Sequence, residues 1–322
     1  MNNKQLYKKT IGFSIRIVLW DLIAAAVVVG AGACGFLLAE KAWNQGLIGL
    51  LIGAVIGLIV IAIVLHFVAY TLKAGQIAMM TRGITEGELP DNVIAEGKRV
   101  VKERFTTVAA YYAITNAIKG IFNQLGRGIT KVGESIGGDT GGAIGSTVSS
   151  VIQIVVSYLC DCCLGWVFYR KDVSAAKATC EGAVLFFKHG KTLAKNMGRV
   201  FGGGIVSLLA IGGVFTGIFY AVLSLNSAAM QPIYDEIVQA AVNSEGSLAN
   251  MLQNPVLIPI ILAAVGGIII WSFIHNAFIR PFVLTGVLRN YLESGMNDIP
   301  AESSFSILDS KSEKFRKLHN QI

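Results

Sequence analysis

Residues 47–72 carry no aspartate, glutamate, lysine or arginine and consist largely of Ile, Leu, Val, Gly and Ala. A helix needs about 20 apolar residues to cross ~30 Å of hydrocarbon. In water this stretch would expose apolar surface on every side, so it commits the chain to a bilayer. Composition extends the constraint to all 322 residues, of which 53% are apolar and 15% charged. Ordinary soluble domains carry about 25% charge. Collagen-like, disulfide-stapled and disordered classes are excluded on the same grounds.

The chain therefore reads as an all-α, polytopic membrane protein with about six transmembrane helices and cationic amphipathic cytosolic helices between them. The spans are expected at residues 17–39, 47–72, 106–124, 142–168, 201–225 and 256–279. A polar cytosolic tail is expected over 286–322. Asn116, Lys119 and Asn123 interrupt the third span. With this layout all of the 27 lysines and arginines except Lys41, Lys119, Arg127 and Lys131 fall on one side. The positive-inside rule makes that side cytosolic, which places both termini in the cytosol of a plasma or inner membrane. Trp20, Tyr70, Trp166 and Tyr169 then fall near the inner interface, and Trp43 and Tyr220 near the outer one. The sorting also accounts for the net charge of +7, so no nucleic-acid partner is expected. The apolar run continues past Cys34, which favours a retained first helix over a cleaved leader. No loop is long enough for a separate soluble domain of about 50 residues.

The segments between spans share a pattern. Asp91 is placed to cap a helix with Val93, Ile94, Gly97, Val100 and Val101 on one face. A second helix follows Asp172, and its polar stripe includes Lys177, Lys188, Lys191, Lys195 and Arg199. A stripe of this kind can lie on anionic headgroups, or its helix can pack beneath the bundle. Pro300 echoes Pro90, so the chain reads as three two-span units related by pattern.

Glycines recur every fourth residue at Gly49, Gly53 and Gly57, at Gly133, Gly137, Gly141 and Gly145, and at Gly213 and Gly217. In lipid, removing side chains is how helices come close. The contacts are either within one chain or between copies in a homo-oligomer, or the glycines line a pore.

Ionisable groups within spans are candidates for a substrate or ion pathway because burying them is costly. Asp21, His66, Asp161 and His275 fall in the inner parts of their helices. The alternative is that each reaches water or a neighbour at the headgroup boundary. Cys160, Cys162 and Cys163 flank Asp161, but helical geometry splays consecutive side chains by about 100°, and no metal site or other cofactor is expected. Gly133-Glu134-Ser135-Ile136-Gly137 matches a nucleophile-elbow string without the preceding strand that the motif requires. No catalytic set converges, so the chain does not read as an enzyme.

The alternation of spans with basic amphipathic helices resembles uncharacterised six-helix bacterial membrane proteins. The C-terminal part, with Cys160, Cys162 and Cys163, residues 179–199 and residues 291–306, resembles the choline-transporter-like family. That family has more spans, and the resemblance assigns no residue a role. The function expected is movement of a small solute or ion, or assistance to it. The alternative is a scaffold that organises lipid or recruits a partner without transport.

Overall fold

The computed structural model describes residues 1–137, 141–242 and 246–322; the side chains at 47, 66, 69, 126–152, 155, 190–201, 229, 232, 233, 236, 240, 247 and 248 are outside the description. Among the described residues all regular structure is helical. Four helices among the described residues are long and apolar enough to cross a membrane: Asn3–Trp43, Ile48–Thr85, Gly202–Leu225 and Leu257–Asn297. At 1.5 Å per residue, the 41 residues of the first extend about 60 Å, roughly twice the hydrocarbon thickness. Each such helix can therefore span lipid and still have length to spare. The chain divides into two compact units, residues 1–197 with 281–322, and residues 198–280.

In the first unit, α1 (Asn3–Trp43) opens with a capping box. The Gln5 amide donates to Asn2 Oδ1 at 2.9 Å, and the Asn2 amide donates to Gln5 Oε1 at 3.1 Å. Asn44, at φ 54°, ends the helix in the left-handed conformation, which asparagine tolerates better than most residues. The chain then turns into α2 (Gly46–Val68), whose Gly46 amide donates to Glu40 Oε2 at 2.8 Å. α1 and α2 approach backbone to backbone. A Cβ at Gly35 would strike the Gly49 carbonyl, one at Gly49 the Gly35 carbonyl, and one at Gly53 the Ala31 carbonyl. The glycines of the second expected span thus serve a contact within one chain. Away from this seam, Ile48, Leu51, Ile52, Ile56, Ile59 and Ile63 are each more than half exposed. Such a belt would be intolerable in water and is ordinary in lipid.

The opposite end of the unit, which carries both termini, is packed like a soluble core. A π-helical turn, Ala69–Lys73, leads into α3 (Ala74–Thr85), and α4 (Val93–Arg104), α5 (Val108–Gly137), α6 (Gly141–Tyr169) and α7 (Ala175–Ser207) follow. The cap of α4 is Asn92, whose side chain accepts from the Ala95 amide at 3.1 Å, one residue beyond the expected Asp91. Leu6 and Phe13 of α1, Ile77, Met79 and Met80 of α3, Phe105, and Trp166 of α6 are all essentially inaccessible. Gln76 donates to Ser14 Oγ at 3.0 Å, so this buried amide is satisfied, as burial requires.

Two of the expected segments take part in this packing. Ile118, Ile121 and Phe122, from the expected third span, are buried, and the helix is not among the four apolar enough to cross. Ile121 instead joins Cys180, Ala183 and Val184 of α7 in a cluster with Phe305, Leu308, Phe315 and Leu318. The C-terminal residues expected as a polar tail supply that cover. α12 (Arg280–Asn297) buries Leu288, Tyr291 and Leu292, and the short helices α13 (Ser306–Asp309) and α14 (Glu313–His319) dock by their aromatic residues. The fourth expected span behaves similarly in its described half, where Leu159 and Cys162 through Phe168 are buried by protein.

The second unit holds the end of α7, a π turn at Leu208–Gly212, α8 (Gly213–Leu225), α9 (Ser227–Val242), α10 (Ser247–Leu252), α11 (Leu257–Ile274) and a π turn at His275–Ile279. α8 and α11 meet at Gly267, where a Cβ would crowd Thr216 and the Gly212 carbonyl. Gly213 and Gly217 have nothing within 4 Å of a Cβ position.

Candidate functional site

Asp161 lies on α6 with a side chain only 8% exposed, and Lys73, the last residue of the first π turn, sits 3.4 Å from it. A buried carboxylate without a partner would be costly, and the π turn carries the lysine to it. Around the pair, Tyr70 donates to the Phe105 carbonyl at 2.9 Å, and Tyr111 packs edge-on against both Tyr70 and Phe105. The ion pair thus joins the π turn to α6, and Tyr70, Phe105 and Tyr111 form an aromatic group where the same turn meets the α4–α5 connection.

A second charged group lies where α6 gives way to α7. Arg170 donates to Glu181 at 2.7 Å and to Asp172 at 2.8 Å, and the Trp166 indole donates to Glu181 at 3.1 Å. Arg104 reaches across to the carbonyls of Val173 and Arg170 at 2.9 and 3.0 Å. Burial raises the Glu181 carboxyl above its ordinary range, against the pull of Trp166 and Arg170. Asp172 is held below its ordinary range, chiefly by the hydrogen bond from Arg170. The arrangement clamps the α6–α7 turn. Trp166, Arg170, Asp172 and Glu181 are close in sequence, and Arg104 reaches them from the end of α4.

The cysteines fill close contacts. Cys162 and Cys163 are fully buried, and a Cβ at Gly182 would press on Cys163 Sγ. Tyr291 donates to the Gly182 carbonyl at 2.6 Å beside them. Burial, with the negative charge of Asp309 and Glu181 adding to it, pushes the Cys180 thiol up to about 12. It stays a thiol and is unreactive at neutral pH.

The residues expected to form a pathway have different settings. Asp21 is half-buried on α1 and has no ion-pair partner among the described residues. The His66 side chain lies outside the described residues. His275 belongs to the second unit, where its Nδ1 is 3.3 Å from Ser207 Oγ. Trp271 donates to the same oxygen at 3.1 Å and stacks on the imidazole, while Ser207 donates to the Gly204 carbonyl at 2.8 Å. Ser207 and His275 each adjoin a π turn, a distortion that recurs at functional positions in helices.

In the expected basic stripe, Lys177 pairs with Glu302 at 3.2 Å and Lys188 with Asp298 at 3.2 Å. Their charges are turned to the C-terminal segment. The side chains of Lys191, Lys195 and Arg199, and of the string from Gly133 to Gly137, lie outside the described residues. Asp298 is held below its ordinary range first by the Lys188 hydrogen bond. A carboxyl with a depressed folded value contributes stability above its unfolded value and loses it as pH falls through the folded one. Docking of the C-terminal segment should therefore hold above the ordinary aspartate value of about 4 and loosen as pH falls below it. Proteolysis of that segment should accelerate with that fall, and Asp298→Asn should remove part of the dependence.

Compared with known protein families, characterised proteins and solved structures, the chain matches none. The structure alone defines its class: among the described residues all regular structure is helical, and four helices are long and apolar enough to span a bilayer.

Proposed function

We propose that the chain is a multi-pass membrane scaffold that fixes a compact helical base to the cytosolic face of a membrane, where it organises lipid or recruits a partner. The observation that carries this reading is the closure of Asp161. The most buried carboxylate of the expected pathway is spent on Lys73 within a packed base. Layout supports it as well. With the four long helices as the spans, and α5 and α6 kept on the base side, every lysine and arginine except Lys41 falls on that side. The six-span layout strands Lys119, Arg127 and Lys131 outside, so the four-span layout satisfies the positive-inside rule more fully. In it the termini are cytosolic, and α4 and the start of α7 are cationic helices whose apolar faces pack under the bundle.

A second reading, movement of a small ion or solute, draws on the Ser207–Trp271–His275 cluster and its π turns. Reconstitution separates the two. In vesicles monitored for proton and potassium flux, the scaffold reading expects wild type to match empty vesicles, with Asp161→Asn lowering the melting temperature alone. Flux by wild type that His275→Ala or Asp161→Asn abolishes, with insertion intact, would overturn the scaffold in favour of transport.

A further inference from the structure

A cavity of about 320 Å³ opens between α1, the end of α2 and α4, lined by Arg16, Trp20, Val64, Phe67, Thr71 and Lys98 among others. Its volume is at the lower end of those that hold small ligands. Its charge is unbalanced. The neighbouring cations are already satisfied: Arg99 pairs with Glu96 and Glu103, Arg82 with Glu86 and Glu96, and Arg104 with two carbonyls. Arg16 and Lys98 have no acidic partner among the described residues. The Thr71 hydroxyl donates to the Phe67 carbonyl at 2.9 Å, so the positive character of the cavity rests on those two side chains.

The rest of the lining is mostly apolar, with Val64, Phe67, Val68 and Leu72, and continues out of the cavity. Phe67 is more than half exposed, and Ile63 and Val60, one and two turns away on α2, continue the same exposed face. Trp20 stands beside Arg16, and tryptophan concentrates at headgroup depth. Two unpaired cations above an apolar wall match a phosphate joined to an acyl chain. They do not match a free anion, which would leave Val64 and Phe67 unused.

We propose that this cavity binds the headgroup of an anionic phospholipid, with the phosphate between Arg16 and Lys98 and an acyl chain along Val64 and Phe67. The proposal rests on α1 and α2 being membrane helices and is independent of whether the protein is a scaffold or a transporter.

The test uses full-length protein in detergent, titrated with phosphatidylglycerol or phosphatidylcholine and read by native mass spectrometry. Wild type should hold phosphatidylglycerol in preference. Arg16→Gln/Lys98→Gln should weaken that binding by about 10- to 30-fold and leave phosphatidylcholine unchanged. Arg16 and Lys98 are exposed, so the melting temperature of lipid-free protein should hold. Arg16→Lys should retain most of the binding. Lys8→Gln/Lys9→Gln, which removes two exposed charges elsewhere on α1, should change little. Equal binding by the Arg16/Lys98 variant, or an equal loss in the Lys8/Lys9 variant, would overturn the site. Displacement of the lipid by inorganic phosphate would overturn the lipid assignment and leave a free-anion site.

Discussion

Gly35→Leu should prevent α1 and α2 from pairing, with a loss of more than about 3 kcal/mol. Overpacking usually costs about 1–3 kcal/mol because neighbouring side chains yield. Here the atom in the way is the Gly49 carbonyl, and the Gly49 backbone faces Gly35 in return. Neither can move without separating the helices along the seam that continues through Gly53 and Ala31. Leucine is also a better helix former than glycine, by somewhat less than about 1 kcal/mol, so a loss cannot come from helix propensity. Thermal unfolding in detergent is the direct measurement, with a disulfide engineered across the hairpin as the proximity readout. Gly30→Leu and Gly213→Leu are the controls, since a Cβ at either position meets nothing within 4 Å. If all three variants unfold alike, the seam is not what holds the hairpin.

Phe315→Ala should release the C-terminal segment, with a loss of about 3–5 kcal/mol. The ring is fully buried in the cluster that also contains Ile121, Cys180 and Phe305, and it meets Phe305 edge-on with centroids 6.0 Å apart. Truncation would leave a cavity bounded by α5, α7 and α13, which rigid helices fill poorly. Protease should then cut near residues 298–304 faster than in wild type. Lys317→Gln, on the exposed side of the same helix, should fall within about 0.5 kcal/mol. A freely solvated tail would give the same cleavage in wild type and Phe315→Ala, so the measurement separates a docked segment from a loose one.

The membrane class was legible because uninterrupted apolarity over 47–72 leaves one solvent that can accept it. The role of Gly49 and Gly53 as packing glycines was legible too, since every-fourth-residue glycine on a helix is a groove. Which helix fills that groove was not, and α1 supplies it through Ala31 and Gly35. Hydropathy alone does not say what the third expected segment packs against. Ile118, Ile121 and Phe122 are apolar for a reason that lipid and protein satisfy equally well, and the covering residues lie nearly 200 positions away at Phe305 and Phe315. Among the residues expected to form a pathway, Asp161 was recognisable as a buried acid, while its pairing with Lys73 depended on a π turn that no periodicity announces.

What the sequence by itself determined is the solvent: helices too apolar for water, with cationic residues sorted away from them. Both are sums over many residues and survive ignorance of contacts. Tertiary structure decided the rest: the core built from the ends of helices longer than a bilayer is thick, the docking of the C-terminal segment, and the charges at Arg16 and Lys98 that meet no acidic partner among the described residues. Each depends on which distant residue arrives within a few ångströms, and short-range attraction and backbone collision respond only to that distance.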